Sequence, residues 1–234
     1  DAHTVYSKDY CIRILEVFKE TNADIVGGPM IKKGVTLFQK AVAYCTSTSL
    51  GIGNSKIHQS NYSGISDHVY LGAWRRELFS EIGYFDVRLI RNQDDEFHYR
   101  AKSRGKTIFL SSKIKSEYFP RNSIKKLFIQ YFQYGLFKPL VLKKVRSEFK
   151  YRHIIPSVFV IYLITMPLWY KNIFLCLVFF TYFLLVTIFA QLAILSFKSK
   201  ILCLIIYPTI HIAYGLGFLI GLTNSKKIID RLIQ

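Results

Sequence analysis

Apolar residues in the first half of the chain recur at the spacings of helix faces and short strands. Cys11, Ile14, Leu15 and Phe18 stand at i, i+3, i+4 and i+7, which predicts an amphipathic helix over residues 8–21 with Ser7 as its N-cap. Ala23-Asp24-Ile25-Val26 reads as a strand ended by Gly27-Gly28, and a helix followed by a strand points to α/β layering. Residues 51–72, rich in Gly, Ser and Asn, read as an irregular loop. Short helices are expected at about 76–82, stopped by Gly83, and at about 95–104, stopped by Gly105, with a strand at 107–110. A second amphipathic helix is expected over about 123–138, with Ile124, Leu127, Phe128 and Tyr131 on one side and Lys125 and Lys126 off it.

The last third changes character. From Ile154 onward the basic residues are Lys171, Lys198, Lys200, Lys226, Lys227 and Arg231, the one acid is Asp230, and most of the rest is Ile, Leu, Val, Phe and Tyr. About 20 apolar residues cross a hydrocarbon core, so the stretches 173–197 and 201–222 predict transmembrane helices. The stretch 154–170, interrupted by Pro156 and Pro167, is either a third span or a re-entrant or interfacial segment. Ala213, Gly217 and Gly221 lie four apart, a small-xxx-small face through which helices pack closely, although such glycines are also ordinary membrane-helix composition. His211 is either a functional ionisable group or a neutral packed histidine near an interface.

The formal net charge of +17 would suit nucleic acid, but its placement argues otherwise. Between Arg121 and Arg152, Lys125, Lys126, Lys138, Lys143, Lys144, Arg146 and Lys150 face the single acid Glu148, directly before the apolar segments. An anionic leaflet attracts such a cluster at about 1 kcal/mol per basic residue; a solvated face obeying the positive-inside bias would look the same. Anionic membrane lipids are therefore the expected partner, and no nucleic acid is. The four cysteines form no CxxC pair, so neither a zinc site nor a disulfide framework is expected. The basic cluster places the first part of the chain in the cytoplasm. Three spans would leave Lys226, Lys227 and Arg231 outside and two would return them, so hydropathy favours three and charge two.

Candidate chemistry concentrates in Gly83-Tyr84-Phe85-Asp86 and Arg91-Asn92-Gln93-Asp94-Asp95-Glu96-Phe97-His98-Tyr99-Arg100. Three consecutive acids fall where a loop turns into a helix. One reading is capping, with Asp94 or Asp95 accepting a first-turn N–H in the favourable field of the helix N-terminus. The other is a carboxylate general base held ionised by that field.

These runs, followed by Gly105 and a strand, resemble the second half of glycosyltransferase family 2, in particular its membrane-associated succinoglycan-type branch. Asp1-Ala2-His3 is similar to that branch's variant of the Asp-x-Asp motif. Ala23-Asp24-Ile25-Val26-Gly27-Gly28-Pro29, Gly51-Ile52-Gly53, Trp74-Arg75-Arg76, Tyr118-Phe119-Pro120-Arg121 and His211-x-x-Tyr214-Gly215-x-Gly217 follow in family order. The resemblance implies a GT-A-type α/β domain and inverting transfer of a sugar from a nucleotide-sugar, a UDP-sugar by preference, with Mg2+ or Mn2+. The acceptor it implies is a polyprenyl-diphosphate-linked saccharide at the bacterial inner membrane, in exopolysaccharide synthesis. It assigns Asp94 as catalytic base, with Asp95 one register slip away, Gln93 and Glu96 beside them toward substrate, and Asp1 and His3 at the metal and diphosphate. Gln93 stands where many relatives have Glu.

Gln130, Gln133 and Tyr134 sit where processive relatives carry Gln-x-x-Arg-Trp. They share one helix face and line an acceptor path on this reading, or are incidental on a helix lying on the membrane. Arg75 and Arg76 are diphosphate partners or plain surface arginines. The family's first 90 or so residues, with the nucleotide-base contacts, precede the Asp1 motif, so the chain is expected to be a fragment and inactive by itself. The expected organisation is the C-terminal half of a GT-A domain over 1–120, a basic amphipathic juxtamembrane region over 121–153, two to three transmembrane helices over 154–222 and a basic tail over 223–234. The alternative function is a catalytically dead binding or assembly subunit of a polysaccharide synthesis or export complex.

Overall fold

The computed structural model describes residues 3–52, 55–146 and 149–233, with side chains described as far as Thr223. In chain order the first elements are β1 (Thr4–Tyr6), α1 (Tyr10–Thr21), β2 (Ile25–Gly28), β3 (Ile31–Lys32) and α2 (Leu37–Cys45). Next come β4 (Gly64–Ile65), β5 (Tyr70–Trp74), α3 (Glu77–Ile82), α4 (Gln93–Ser103), β6 (Ile108–Leu110) and β7 (Ser116–Tyr118). The remainder is helical: α5 (Ile124–Lys144), α6 (Ile155–Ile164), α7 (Met166–Trp169), α8 (Ile173–Gln191) and α9 (Phe197–Ile233). The chain divides into two compact units, Asp1–Lys33 with Asn54–Phe119 and Val141–Phe149, and Gly34–Gly53 with Pro120–Leu140 and Lys150–Gln234.

The first unit is mixed α/β. One sheet has the order β4-β6-β2-β5, with β2 and β6 parallel (Ile25 opposite Ile108) and β5 and β4 antiparallel at the edges. Successive strand residues point to opposite faces, and the two central residues of β2 show it. Ile25 packs with Leu78, Ile82, Phe97 and Ala101 of α3 and α4, while Val26 packs with Tyr10 and Val17 of α1 and with Ile114. Helices thus cover both faces. A smaller sheet, β1-β7-β3, has β7 at its centre. The expected loop 51–72 contains β4 and the start of β5; β4 has two residues, and its pairing is imposed by β6 rather than written in its own pattern. Gly83 and Gly105, at φ +83 and +74, end α3 and α4 in the left-handed region that glycine enters without a Cβ penalty.

In the second unit, α2 starts with a capping box: Thr36 Oγ1 accepts from Gln39 N–H while Gln39 Oε1 accepts from Thr36 N–H. Its Ala41, Val42 and Cys45 share a core with Leu127 and Tyr131 of α5, Val186 and Ala190 of α8, and Cys203, Tyr207, Ile210 and Ala213 of α9. A Cβ on Gly135 of α5 would strike Tyr214 O of α9, and one on Gly217 of α9 would strike Phe132 O of α5, so the two backbones touch through glycine. Of the apolar stripe expected on 123–138, Leu127 and Tyr131 are buried in this core and Phe128 packs against it, while Ile124 is exposed; the helix continues to Lys144 through Pro139.

Two of the three apolar stretches form helices long enough to cross a membrane, Ile173–Gln191 and Phe197–Thr223. Only 11% of the first is buried, against 44% of the second. Phe174, Phe180 and Leu184 on α8 are more than half exposed, a surface that water tolerates poorly and lipid does not. The stretch 154–170 divides at Thr165 into α6 and α7, each too short to cross alone. Side chains of the expected basic tail from residue 224 on lie outside the described residues.

Candidate active site

The head of α4 carries the acids. Asn92, at φ +62, turns the chain into the helix, a conformation Asn tolerates better than most residues, and its carbonyl accepts Glu96 N–H at 3.0 Å. Gln93 and Asp94 are exposed and Asp95 half-buried. Asp94 Oδ1 accepts the N–H of Asp95 at 2.9 Å, so Asp94 meets a first-turn donor while remaining open to solvent. First-turn N–H groups and the helix dipole favour its ionised form.

One residue further, Glu96 turns inward, its side chain 1% exposed. Arg100, one turn on, grips it with Nε on Oε1 and Nη2 on Oε2, each at 3.0 Å. The same guanidinium donates to the carbonyls of Ile82, Gly83 and Tyr84, fastening the end of α3. Lys144, in the last turn of α5, reaches Glu96 Oε1 at 3.2 Å and Asp86 Oδ2 at 2.5 Å. Asp86 is also held by Arg88 at 2.9 and 2.7 Å. The Arg88 hydrogen bonds, with Lys144 behind them, hold the Asp86 carboxyl well below the usual carboxylate range despite its burial. Phe85, just before it, sits among Trp74, Phe79 and Phe97. The Phe-Asp pair therefore pins the loop twice, once by ring packing and once by charge.

Beneath the acids lies a buried imidazole. His98 is 1% exposed and stacks on Trp74 with centroids 6.2 Å apart, and among the described residues its two ring nitrogens, like Trp74 Nε1, have no hydrogen-bond partner. Burial, aided by His68 and opposed by Asp95, pushes its pKa down to about 3. The adjoining Leu71 holds φ +48, and its carbonyl accepts the Tyr10 hydroxyl at 2.7 Å.

The other predicted residues are placed as follows. Arg75 donates to Ala23 O at 2.8 Å and Phe18 O at 3.3 Å and lies over the Phe18 ring, closing the C-terminal end of α1. Arg76 is exposed at the start of α3. His3 is half-buried in the turn before β1, its carbonyl accepting Phe119 N–H at 2.8 Å. Asp1 lies outside the described residues. Among the described residues no group of three or more His, Cys, Asp or Glu side chains is placed to hold a metal ion. Gln130, Gln133 and Tyr134 are half-buried in the second unit, where Gln130 Nε2 donates to Tyr134 Oη at 3.1 Å. His211, also there, meets Leu50 O at 2.8 Å and Tyr182 Oη at 2.9 Å. Sequence reasoning missed Lys144 and His98; the first is one lysine in a basic run and the second one letter in a charged motif, and neither carries a local signal.

No family model matches the chain. Comparison with curated proteins is informative. The chain is similar to two of them. One is the succinoglycan biosynthesis protein ExoA of Rhizobium meliloti, 36% identical over 135 residues, which are 58% of this chain and 41% of that protein. The other is the dolichyl N-acetyl-alpha-D-glucosaminyl phosphate 3-beta-D-2,3-diacetamido-2,3-dideoxy-beta-D-glucuronosyltransferase of Methanococcus voltae, 26% identical over 149 residues, 61% of this chain and 46% of that protein. The chain thus spans less than half the length of the curated relatives it matches. One relative is named for a sugar-polymer pathway and the other for glycosyl transfer to a lipid-borne sugar.

Proposed function

We propose that the protein transfers a sugar, with inversion, from a nucleotide-sugar to a polyprenyl-diphosphate-linked saccharide at the inner face of a bacterial membrane, in the synthesis of an exopolysaccharide. Its first unit is read as the C-terminal half of a GT-A domain of glycosyltransferase family 2. The carrying observation is the contrast among the carboxylates around α4. The side chains of Asp86 and Glu96 are 7% and 1% exposed, whereas Asp94 is exposed to solvent at the helix N-terminus. A solvent-open, ionised carboxylate suits removal of a proton from an acceptor hydroxyl as that oxygen attacks the anomeric carbon. The half-buried Asp95 is the neighbouring candidate. Glu96 and Arg75, committed to the partners described, shape the site rather than contact substrate; Gln93 and Arg76 are open to it, and Gln130, Gln133 and Tyr134 are assigned to the acceptor. A Mg2+ or Mn2+ ion at Asp1 and His3 belongs to this reading, where it would offset the charge of the departing diphosphate. The described residues do not by themselves complete such a site.

The test is sugar transfer by the complete gene product in membranes, with radiolabelled nucleotide-sugars and lipid extract. Asp94→Asn should lower turnover by ~10²–10⁴ with donor binding little changed. Near-normal turnover would move the assignment to Asp95. Retained turnover in both Asp94→Asn and Asp95→Asn would end the assignment of the base to this site, and absence of any transfer by the wild type would favour a binding or assembly subunit.

A further inference from the structure

Asp86 and Glu96 belong to different segments. Asp86 ends the Gly-Tyr-Phe-Asp run after α3, and Glu96 lies two residues beyond Asp94 on α4. Their side chains are 7% and 1% exposed, and the Lys144 ammonium bonds to both. Two carboxylates reaching one ammonium lie close to each other, and buried like charges at such range repel strongly without a cation between them. Arg88 and Arg100 do not substitute for it. Arg88 grips Asp86 from two residues away, and Arg100 grips Glu96 from four while holding the loop only at its start, through the carbonyls of Ile82, Gly83 and Tyr84. Lys144 arrives from 58 and 48 residues further along the chain and ties the two carboxylates, and with them the Asp86 end of the loop and α4, together.

We infer that Lys144 is a positioning residue for the proposed transfer: by bridging Asp86 and Glu96 it fixes the loop of residues 83–92 against the first turn of α4, and with it the direction in which Asp94 and Asp95 present their carboxylates. The inference rests on the reading of the α4 acids as the base. Lys144 touches no reacting atom. Its effect is geometric, and displacement of a base by about 1 Å costs on the order of 10²-fold in rate.

The experiment measures kcat and donor KM for the complete gene product in membranes, normalised to protein abundance. Lys144→Met should lower kcat ~10- to 100-fold with KM changed less than about twofold. Lys144→Arg, which keeps the charge, should restore at least roughly a third of the wild-type kcat. Unchanged kcat in Lys144→Met overturns the inference, as does a loss confined to abundance. If that variant does not accumulate, Lys144→Met combined with Glu96→Gln carries the test. Asp86 then keeps Arg88, and Arg100 keeps the Ile82, Gly83 and Tyr84 carbonyls with the amide oxygen introduced by Glu96→Gln in place of the carboxylate. The double variant should accumulate with kcat still lowered, and wild-type kcat in it overturns the inference. Asp94→Asn and Asp95→Asn run alongside. Their retaining turnover would fail the parent reading and this inference together, whereas their losing turnover while Lys144→Met keeps it would fail this inference alone.

Discussion

Around α4 the first unit joins distant segments through two shielded carboxylates and their cations: Asp86 and Glu96 meet Arg88, Arg100 and Lys144 within hydrogen-bond distance. Where α5 meets α9 the second unit joins distant segments by removing side chains, with Gly135 and Gly217 letting each backbone rest on the other. Close packing through small residues is the device of helices that meet in a membrane, where association has no hydrophobic drive, and α9 is long and apolar enough to cross one. Buried charges instead add geometric definition at the cost of desolvation. The first device fails when one partner is lost, the second when an atom is added.

The sharpest way to break the contrast is Glu96→Ala. It leaves Arg100 with backbone carbonyls alone and Lys144 with Asp86 alone, and because both cations are partly exposed it should destabilise the first unit by about 3 kcal/mol, the lower end for removal of one partner from a buried pair. Hydrogen exchange along α4 and the loop before it reads this directly. Next is Gly217→Val in the second unit. Here the obstacle is the Phe132 carbonyl, which cannot rotate away, so the cost should reach the upper end of the ~1–3 kcal/mol range for overpacking. Salt should leave that loss unchanged, because no charge is involved. Protease susceptibility of α5 in detergent, with and without 1 M salt as an order-of-magnitude screen, measures both claims.

The smallest effect sharpens the rule by its exception. His98 is buried in the first unit, and among the described residues no group hydrogen-bonds to its ring, so it is tolerated only while neutral. Its pKa falls from 6.5 to about 3 on folding, chiefly through burial. The unfolded chain therefore takes up a proton near pH 6.5 that the folded chain refuses until about pH 3. This contribution to stability is fully present above pH 6.5 and is lost as pH falls, by about 1.4 kcal/mol per unit. Denaturation midpoints between pH 7 and 5 should slope accordingly, and His98→Phe should flatten the slope without loss of stability at pH 7.

How far the fold was legible depends on where its causes lie along the chain. Helices α1, α3 and α4 are readable because period and stop are local. Gly83 and Gly105 end α3 and α4 at positive φ, and Asn22 ends α1 likewise, although α1 begins at Tyr10 after Asp9 and Ser7 does not cap it as expected. Strands β1, β3, β4 and β7 have two or three residues each, and their partners rather than their own pattern define them. Helix α2 carries a readable signal, the capping pair Thr36 and Gln39 with Phe38, Ala41, Val42 and Cys45 at helical spacing, but with nine residues it is short enough for that signal to be overlooked. Helix α5 outran its expected end because Pro139 reads as a stop, although its neighbours are buried in tertiary packing that carries the helix past it. Within the candidate site, the row of acids was visible as a motif. Which of them face water was not, since that is decided by Lys144 and Arg100 and by the inward turn of Glu96.

Helix α2 has a consequence for the order in which the molecule is made. Its Ala41, Val42 and Cys45 are covered by Cys203 and Tyr207, which leave the ribosome some 160 residues later at about 5–20 residues per second. For many seconds the nascent chain carries an uncovered apolar stripe, and closing so long a loop is slow by nature. A chain stopped before α9 would keep that stripe permanently open, so premature termination there should yield an aggregation-prone, chaperone-bound product rather than a shorter working one.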